Sequence, residues 1–193
     1  MPGSSLWLLP PSSHPLSSIM PTLIQRTSSH FSSPHSFLPH VTITSEISPS
    51  TYFSDPQAWL NSLALPSGDD VEVKLEKLAS EDVFFRKLYI KCYKSEGLEK
   101  LAQVCRRKVE GFEEEAKATE WADQTYNPHV SLLYHDCPKV EADGFLPIQK
   151  LAQQAGVSLD VEGNLGGWTG GRIVLVPTDR PIHEWNPIAE RGL

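Results

Sequence analysis

Residues 37–46 read FLPHVTITSE, and residues 126–135 read YNPHVSLLYH. Both stretches run proline, histidine, valine, hydroxyl residue, apolar residue: Pro39, His40, Val41, Thr42, Ile43 in the first and Pro128, His129, Val130, Ser131, Leu132 in the second. The apolar, β-branched setting reads as a strand each time. Side chains alternate across a strand, so His40 and Thr42 share one face while Val41 and Ile43 share the other. His129 and Ser131 are set against Val130 and Leu132 in the same way. An apolar face can meet helices. A polar face has to meet water, a partner or a ligand. One His-x-Thr on a strand is an ordinary surface feature, but two copies in matching context form a duplicated motif.

The flanks repeat as well. Residues 5–11, SLWLLPP, read as a short strand closed by prolines, and Leu16, Ile19, Met20, Leu23 and Ile24 have helical spacing. Pro21 suits only a first helical turn, so an irregular start is expected there. DPQAWLNSLAL, residues 55–65, offers an Asp cap with Pro at the first helical position. VEVKLEKLASE (71–81) alternates as a half-buried strand, with FFRKLYIKCY (84–93) as its hairpin partner. Leu98, Leu101, Ala102, Cys105 and Val109 make an amphipathic helix, on which Arg106 and Arg107 read as a solvated face. Residues 113–128 are acidic, a loop or short helix. GFLPIQKLAQQAG (144–156) reads as a helix ending at Gly156. VSLDVEG (157–163) and GRIVLVPT (171–178) read as strands about the glycine-rich turn GNLGGWTGG, a flexible hairpin or, more sharply, a lid carrying Trp168. The proline-broken tail from Asp179 reads as loop.

Strand, helix, strand, helix and hairpin thus occur twice, and His40 and His129 stand 89 residues apart, nearly half of the 193-residue chain. The pattern predicts an α+β fold in a single domain, 1–193. It has two lobes related by a pseudo-two-fold axis, each an antiparallel sheet with helices on its outer face. If the polar sides face each other, two imidazoles and two hydroxyls line one central cleft.

Composition narrows the function. A chain of this length buries roughly 70% of its unfolded surface and needs no disulfide staple. Its three cysteines, Cys92, Cys105 and Cys137, lack zinc-like pairing, and reduced thiols in a cytosol-like compartment are the simplest reading. A net charge of −7 argues against long nucleic acid, which needs many cationic phosphate contacts, but not against one nucleotide in a locally positive pocket. No apolar run approaches the ~20 residues of a membrane span, and the start lacks the basic segment of a signal peptide. His129 and His135 lie too far apart along a strand to share a metal, and the glycine-rich turn lacks the Lys-Ser/Thr ending of a phosphate loop.

The pair PHVTI and PHVSL resembles the duplicated His-x-Thr/Ser signature of the 2H phosphoesterases. With the opening LWLLPP, nearly the whole chain is similar to the fungal 2′,3′-cyclic-nucleotide 3′-phosphodiesterases. The resemblance implies the bilobal fold and metal- and cofactor-free hydrolysis of small ribose cyclic phosphates. The implied substrates are nucleoside 2′,3′-cyclic phosphates, opened to 2′-phosphates, and ADP-ribose 1″,2″-cyclic phosphate, a by-product of tRNA splicing. It implies His129 as the base that activates water and His40 as the acid that protonates the departing 3′ oxygen, a polarity the symmetric sequence does not itself set. Thr42 and Ser131 would donate to phosphate oxygens. Trp7 and Tyr134 match aromatic substrate contacts of related enzymes, although core packing is an equal reading of Trp7, and strand parity turns Tyr134 to the apolar face unless the strand ends or bulges before it. A monomer is expected, and cytosol and Golgi both stay open. Two alternatives remain: a 2H enzyme acting on RNA ends or 2′–5′ linkages, and a nucleotide-binding module without catalysis.

Overall fold

The computed structural model of the protein describes residues 3–159, 163 and 165–193. In chain order these form β1 (Ser4–Leu9), α1 (Leu16–His30), β2 (Val41–Ile47), α2 (Pro56–Ser62), β3 (Glu72–Ala79), β4 (Leu88–Cys92), α3 (Glu96–Arg106), α4 (Glu115–Gln124), β5 (His129–Leu133), α5 (Ala142–Gln154), β6 (Gly167–Thr169), β7 (Arg172–Pro177) and β8 (Ala189–Gly192). The eight strands join one sheet in the order β6-β3-β4-β5-β2-β1-β7-β8, with every neighbouring pair antiparallel. The two motif strands, β2 and β5, are neighbours at its centre.

Strand alternation sorts the core into two layers. Leu6, Leu8, Val41, Ile43, Val130 and Leu132 face the helices and join the large core built with α1 and α3. Trp7, Leu9, Val174 and Val176 face the other way, with Tyr134 and Trp185 laid over them. β1 is buried along its whole length because it is covered on both faces.

Two helices start on side-chain caps. Asp55 Oδ1 accepts from the Ala58 N–H at 2.8 Å with Pro56 in the first turn, and Ser95 caps α3 through the Leu98 N–H. The irregular start expected for α1 is absent. Its helix runs on through Pro21, which stands beyond the first turn on the exposed side, where water can satisfy the carbonyl that proline leaves unpaired. The acidic stretch 113–128 yields a full helix, α4. It buries only Ala118 and Ala122, so its apolar period is faint.

The C-terminal quarter departs from the sequence reading. β7 pairs with β1 and with β8. Val157–Leu159 form no strand, and Asp160–Glu162 of the expected partner lie outside the described residues. The tail supplies the missing edge instead: Ala189–Gly192 forms β8, whose polar sequence AERG carries no alternation and whose strand comes from pairing alone. Trp168 is no lid. It sits in β6 opposite Val73, 4% exposed, in the main core. The glycine next to it allows this approach, since a Cβ on Gly167 would lie 1.9 Å from the Val73 carbonyl oxygen.

Candidate active site

β2 and β5 meet with Val41 opposite Val130. Continuing that antiparallel register sets Thr42 opposite His129 and His40 opposite Ser131, with all four on the face away from the helices. An antiparallel pair has a local two-fold axis. Here the axis passes between Val41 and Val130, and it carries His40 onto His129 and Thr42 onto Ser131. The histidines stand on a diagonal, where Cα atoms are about 7–8 Å apart, room for a small anion between two rings.

The two imidazoles are held alike. Nδ1 of His40 meets the Leu38 carbonyl at 2.6 Å, and Nδ1 of His129 meets the Asn127 carbonyl at 2.8 Å. A carbonyl only accepts, so the contact assigns the proton to Nδ1 and leaves Nε2 for a ligand. Both carbonyls belong to the residue before the motif proline. A neutral ring offers Nε2 as a base, and a protonated ring offers it as an acid.

The surroundings differ sharply. His40 is 4% exposed and stacks on Trp7, with ring centroids 3.7 Å apart and planes 6° from parallel. Burial in this aromatic box pushes its pKa down to about 3, against the pull of the Leu38 carbonyl and with further repulsion from His129. His129 is half-buried and meets the edge of Tyr89 at 5.1 Å. Its pKa is also lowered, first by burial, while the Asn127 carbonyl raises it, Arg86 lowers it and Glu81 raises it. Thr42 and His129 open onto a cavity of about 260 Å³ whose polar wall includes Ser45, Arg86, Thr125 and Asn127. His40 and Ser131 do not line it.

The hydroxyls differ too. Thr42 faces the cavity without a side-chain bond among the described residues, whereas Ser131 Oγ donates to the Phe85 carbonyl at 3.0 Å. A serine has one hydroxyl proton, so in the free site Ser131 is not the open donor the duplicated motif suggests. Trp7 is fully buried beneath His40 and Trp185, and its indole Nε1 has no partner among the described residues. Tyr134 does come to the motif face, because the register shifts by one residue between the Tyr89–Ser131 and Leu88–Leu133 pairs, which turns Leu133 to the helix-side core and Tyr134 to the other face. It is buried against Phe37 at 3.8 Å and beside Trp185. As the site stands, both aromatic rings are packed rather than open. Beyond Phe85 and Trp185 a second cavity of about 640 Å³ is lined by His35, Arg180 and His183.

Two readings of charge change. Arg106 is not on a solvated face: it is 7% exposed, sandwiched between Phe112 (3.9 Å) and Trp121 (4.6 Å), and bonds Thr44, Ser45 and Glu46 of β2. Helical periodicity put it beside exposed Arg107 without revealing the two rings that bury it. The sequence also hid a polar group beside His129. Arg86 pairs with Glu81 at 2.8 Å, and the Tyr89 hydroxyl donates to the same carboxylate at 2.8 Å. Alternation placed Tyr89 on a strand face, but only the β4–β5 register, Tyr89 opposite Ser131, shows that this is the motif face. His135 is occupied locally, its Nδ1 accepting from the Cys137 N–H at 2.7 Å. Among the described residues no three His, Cys, Asp or Glu side chains group as metal ligands, and no helix is long and apolar enough to cross a membrane.

The full chain is similar to known proteins. A protein of Phaeosphaeria nodorum named 2′,3′-cyclic-nucleotide 3′-phosphodiesterase is 69% identical over 193 residues, covering all of both chains. Proteins of the same name from Neurospora crassa and Yarrowia lipolytica are 43% and 32% identical, covering 100% and 98% of this chain and 100% and 99% of theirs. Residues 1–193 match the family described as cyclic phosphodiesterase-like protein. A duplicated strand motif spanning both halves of the chain, together with end-to-end similarity of this kind, leaves one assignment: the protein belongs to the cyclic phosphodiesterase family.

Proposed function

We propose that the protein hydrolyses nucleoside 2′,3′-cyclic phosphates to nucleoside 2′-phosphates, with residues 1–193 acting as one catalytic unit. Water attacks phosphorus, the P–O3′ bond breaks, His129 takes the water proton and His40 gives one to O3′. Thr42 donates to a non-bridging oxygen, and Ser131 does so after releasing the Phe85 carbonyl. Trp7 fixes the plane of His40, and Tyr134 borders the same face. No metal enters the scheme. The observation that supports it most is the β2–β5 register, which gives both motif copies a common face about a local two-fold axis. We read the strand order in the same sense, as two four-stranded halves, β6-β3-β4-β5 and β2-β1-β7-β8, related by an approximate two-fold axis.

Access of water supports the stated polarity. In an in-line displacement the attacking water and the leaving oxygen lie on opposite sides of phosphorus. His129 opens on the polar cavity where water can stand, while His40 sits in a dry aromatic box suited to the leaving group. His40 must be charged to act as an acid, and an arriving phosphodiester anion supplies the opposite charge that makes this favourable. ADP-ribose cyclic phosphate is a further expected substrate on the same chemistry. The charge of −7 speaks against RNA ends, and two imidazole Nε2 atoms without a hydrogen-bond partner among the described residues speak against a silent binding module.

The test is incubation with 2′,3′-cyclic AMP, ADP-ribose cyclic phosphate and a short RNA ending in a cyclic phosphate, all in EDTA. Release of 2′-AMP from the first is expected. Release of 3′-AMP, turnover of RNA alone, or binding without turnover would each contradict the proposal.

A further inference from the structure

The local two-fold axis makes the two motifs equivalent, so what distinguishes His129 from His40 has to come from outside the motifs. The largest such difference is a cation. Arg86, in the 3-10 turn Phe84–Arg86, lines the same 260 Å³ cavity as Thr42 and His129 and lies close enough to bear on the protonation of His129. Its guanidinium carries five N–H donors, and among the described residues its side chain makes one ion pair, to Glu81 at 2.8 Å. Glu81 is itself fixed by the Tyr89 hydroxyl at 2.8 Å, so the carboxylate holds the arginine in place beside the site. Arg106, the other arginine of this cavity, is bound to β2 and clamped between two rings.

We infer that Arg86 is a third phosphate contact of the site, a cation that receives the cyclic phosphodiester on the His129 side and stabilises the charge gained in the transition state, with Glu81 and Tyr89 as its positioning residues. The inference rests on the reaction proposed above. A chain of net charge −7 has need of such a group, because an anionic substrate otherwise meets a repulsive field. The geometry also suits the chemistry: a phosphodiester carries one negative charge and gains more on attack, so a fixed guanidinium stabilises the transition state more than the ground state. Neither His-x-Thr copy supplies a permanent cation, since both imidazoles are held towards the neutral form in the free site.

The test compares Arg86→Ala, Arg86→Lys, Glu81→Gln and the control Arg107→Ala, which removes an exposed positive charge on α3 away from the cavity. Losing one charge-assisted contact should lower kcat/KM of Arg86→Ala about ten- to a hundredfold, with part of the loss in kcat. Arg86→Lys should recover part of it, and Arg107→Ala should stay within twofold of wild type. Inhibition by the product 2′-AMP should weaken in Arg86→Ala and, to a lesser degree, in Glu81→Gln, which loosens the guanidinium without removing it; a merely structural arginine would leave 2′-AMP inhibition unchanged in both. If Arg86→Ala keeps kcat/KM and 2′-AMP inhibition within twofold while His129→Ala is inactive, Arg86 is not a phosphate contact and the two-histidine reaction stands. If His40→Ala and His129→Ala both turn over normally, the reaction itself falls.

Discussion

His40 sets burial against charge in a single side chain. It is buried on Trp7 with its proton fixed on Nδ1, and its pKa falls from 6.5 to about 3. The unfolded chain therefore binds a proton at this ring below pH 6.5, while the folded chain does not until far lower. Folding stability is lost as pH falls through that window, by up to about 1.4 kcal/mol per pH unit for one such group. Replacing His40 with Asn, which does not titrate, should flatten the decline measured by urea unfolding between pH 6.5 and 4; an unchanged slope would show that His40 is not held neutral. The same burial bears on catalysis. A bound phosphodiester raises the pKa of the acid, so the alkaline limb of kcat should lie at higher pH than that of kcat/KM. At this scale strand alternation makes the shared face of each His-x-Thr/Ser pair legible in the sequence. It does not show that Ser131 donates a hydrogen bond to the Phe85 carbonyl, or that Arg86 stands beside His129, because both depend on which strands become neighbours.

At the scale of elements, legibility followed apolar period. Strands β2, β3, β4 and β5 and helices α1 and α3 carry alternation or helical spacing, β1 is an apolar run closed by prolines, and each is readable. α4 buries two alanines and reads as a loop or a helix with equal ease. β8 has no period at all. It is held by β7, by the Arg172–Glu190 ion pair at 3.0 Å, and by Arg191, whose guanidinium reaches the carbonyls of Leu60, Asn61 and Leu63 at 3.4, 3.1 and 2.8 Å. Those carbonyls lie at the C-terminal end of α2, so one side chain pins the last strand to a helix end. Arg191→Ala should cost about 1–2 kcal/mol in chemical unfolding while leaving turnover at room temperature near wild type. An unchanged unfolding midpoint would mean that β8 is held by its ladder alone.

Across the whole molecule, the repeat visible in the sequence corresponds to a sheet whose two motif strands meet at the centre, so each half of the chain brings one histidine and one hydroxyl to a single face. The halves then diverge in what surrounds them: aromatic rings enclose His40, and a polar cavity with Arg86 adjoins His129. That divergence is spread over loops and the C-terminal tail, where spacing carries little signal. In the proposed reaction it is also what gives two equivalent imidazoles opposite proton roles. The most direct measurement is hydrolysis of a nucleoside 2′,3′-cyclic phosphate whose 3′ bridging oxygen is replaced by sulfur, a leaving group that needs no proton. On the natural substrate both His40→Ala and His129→Ala should lose about 10²–10⁴-fold in rate, the usual worth of a positioned acid or base. On the sulfur substrate His40→Ala should return to nearly the wild-type rate and His129→Ala should stay slow; rescue of His129→Ala instead, or of neither variant, would contradict the account.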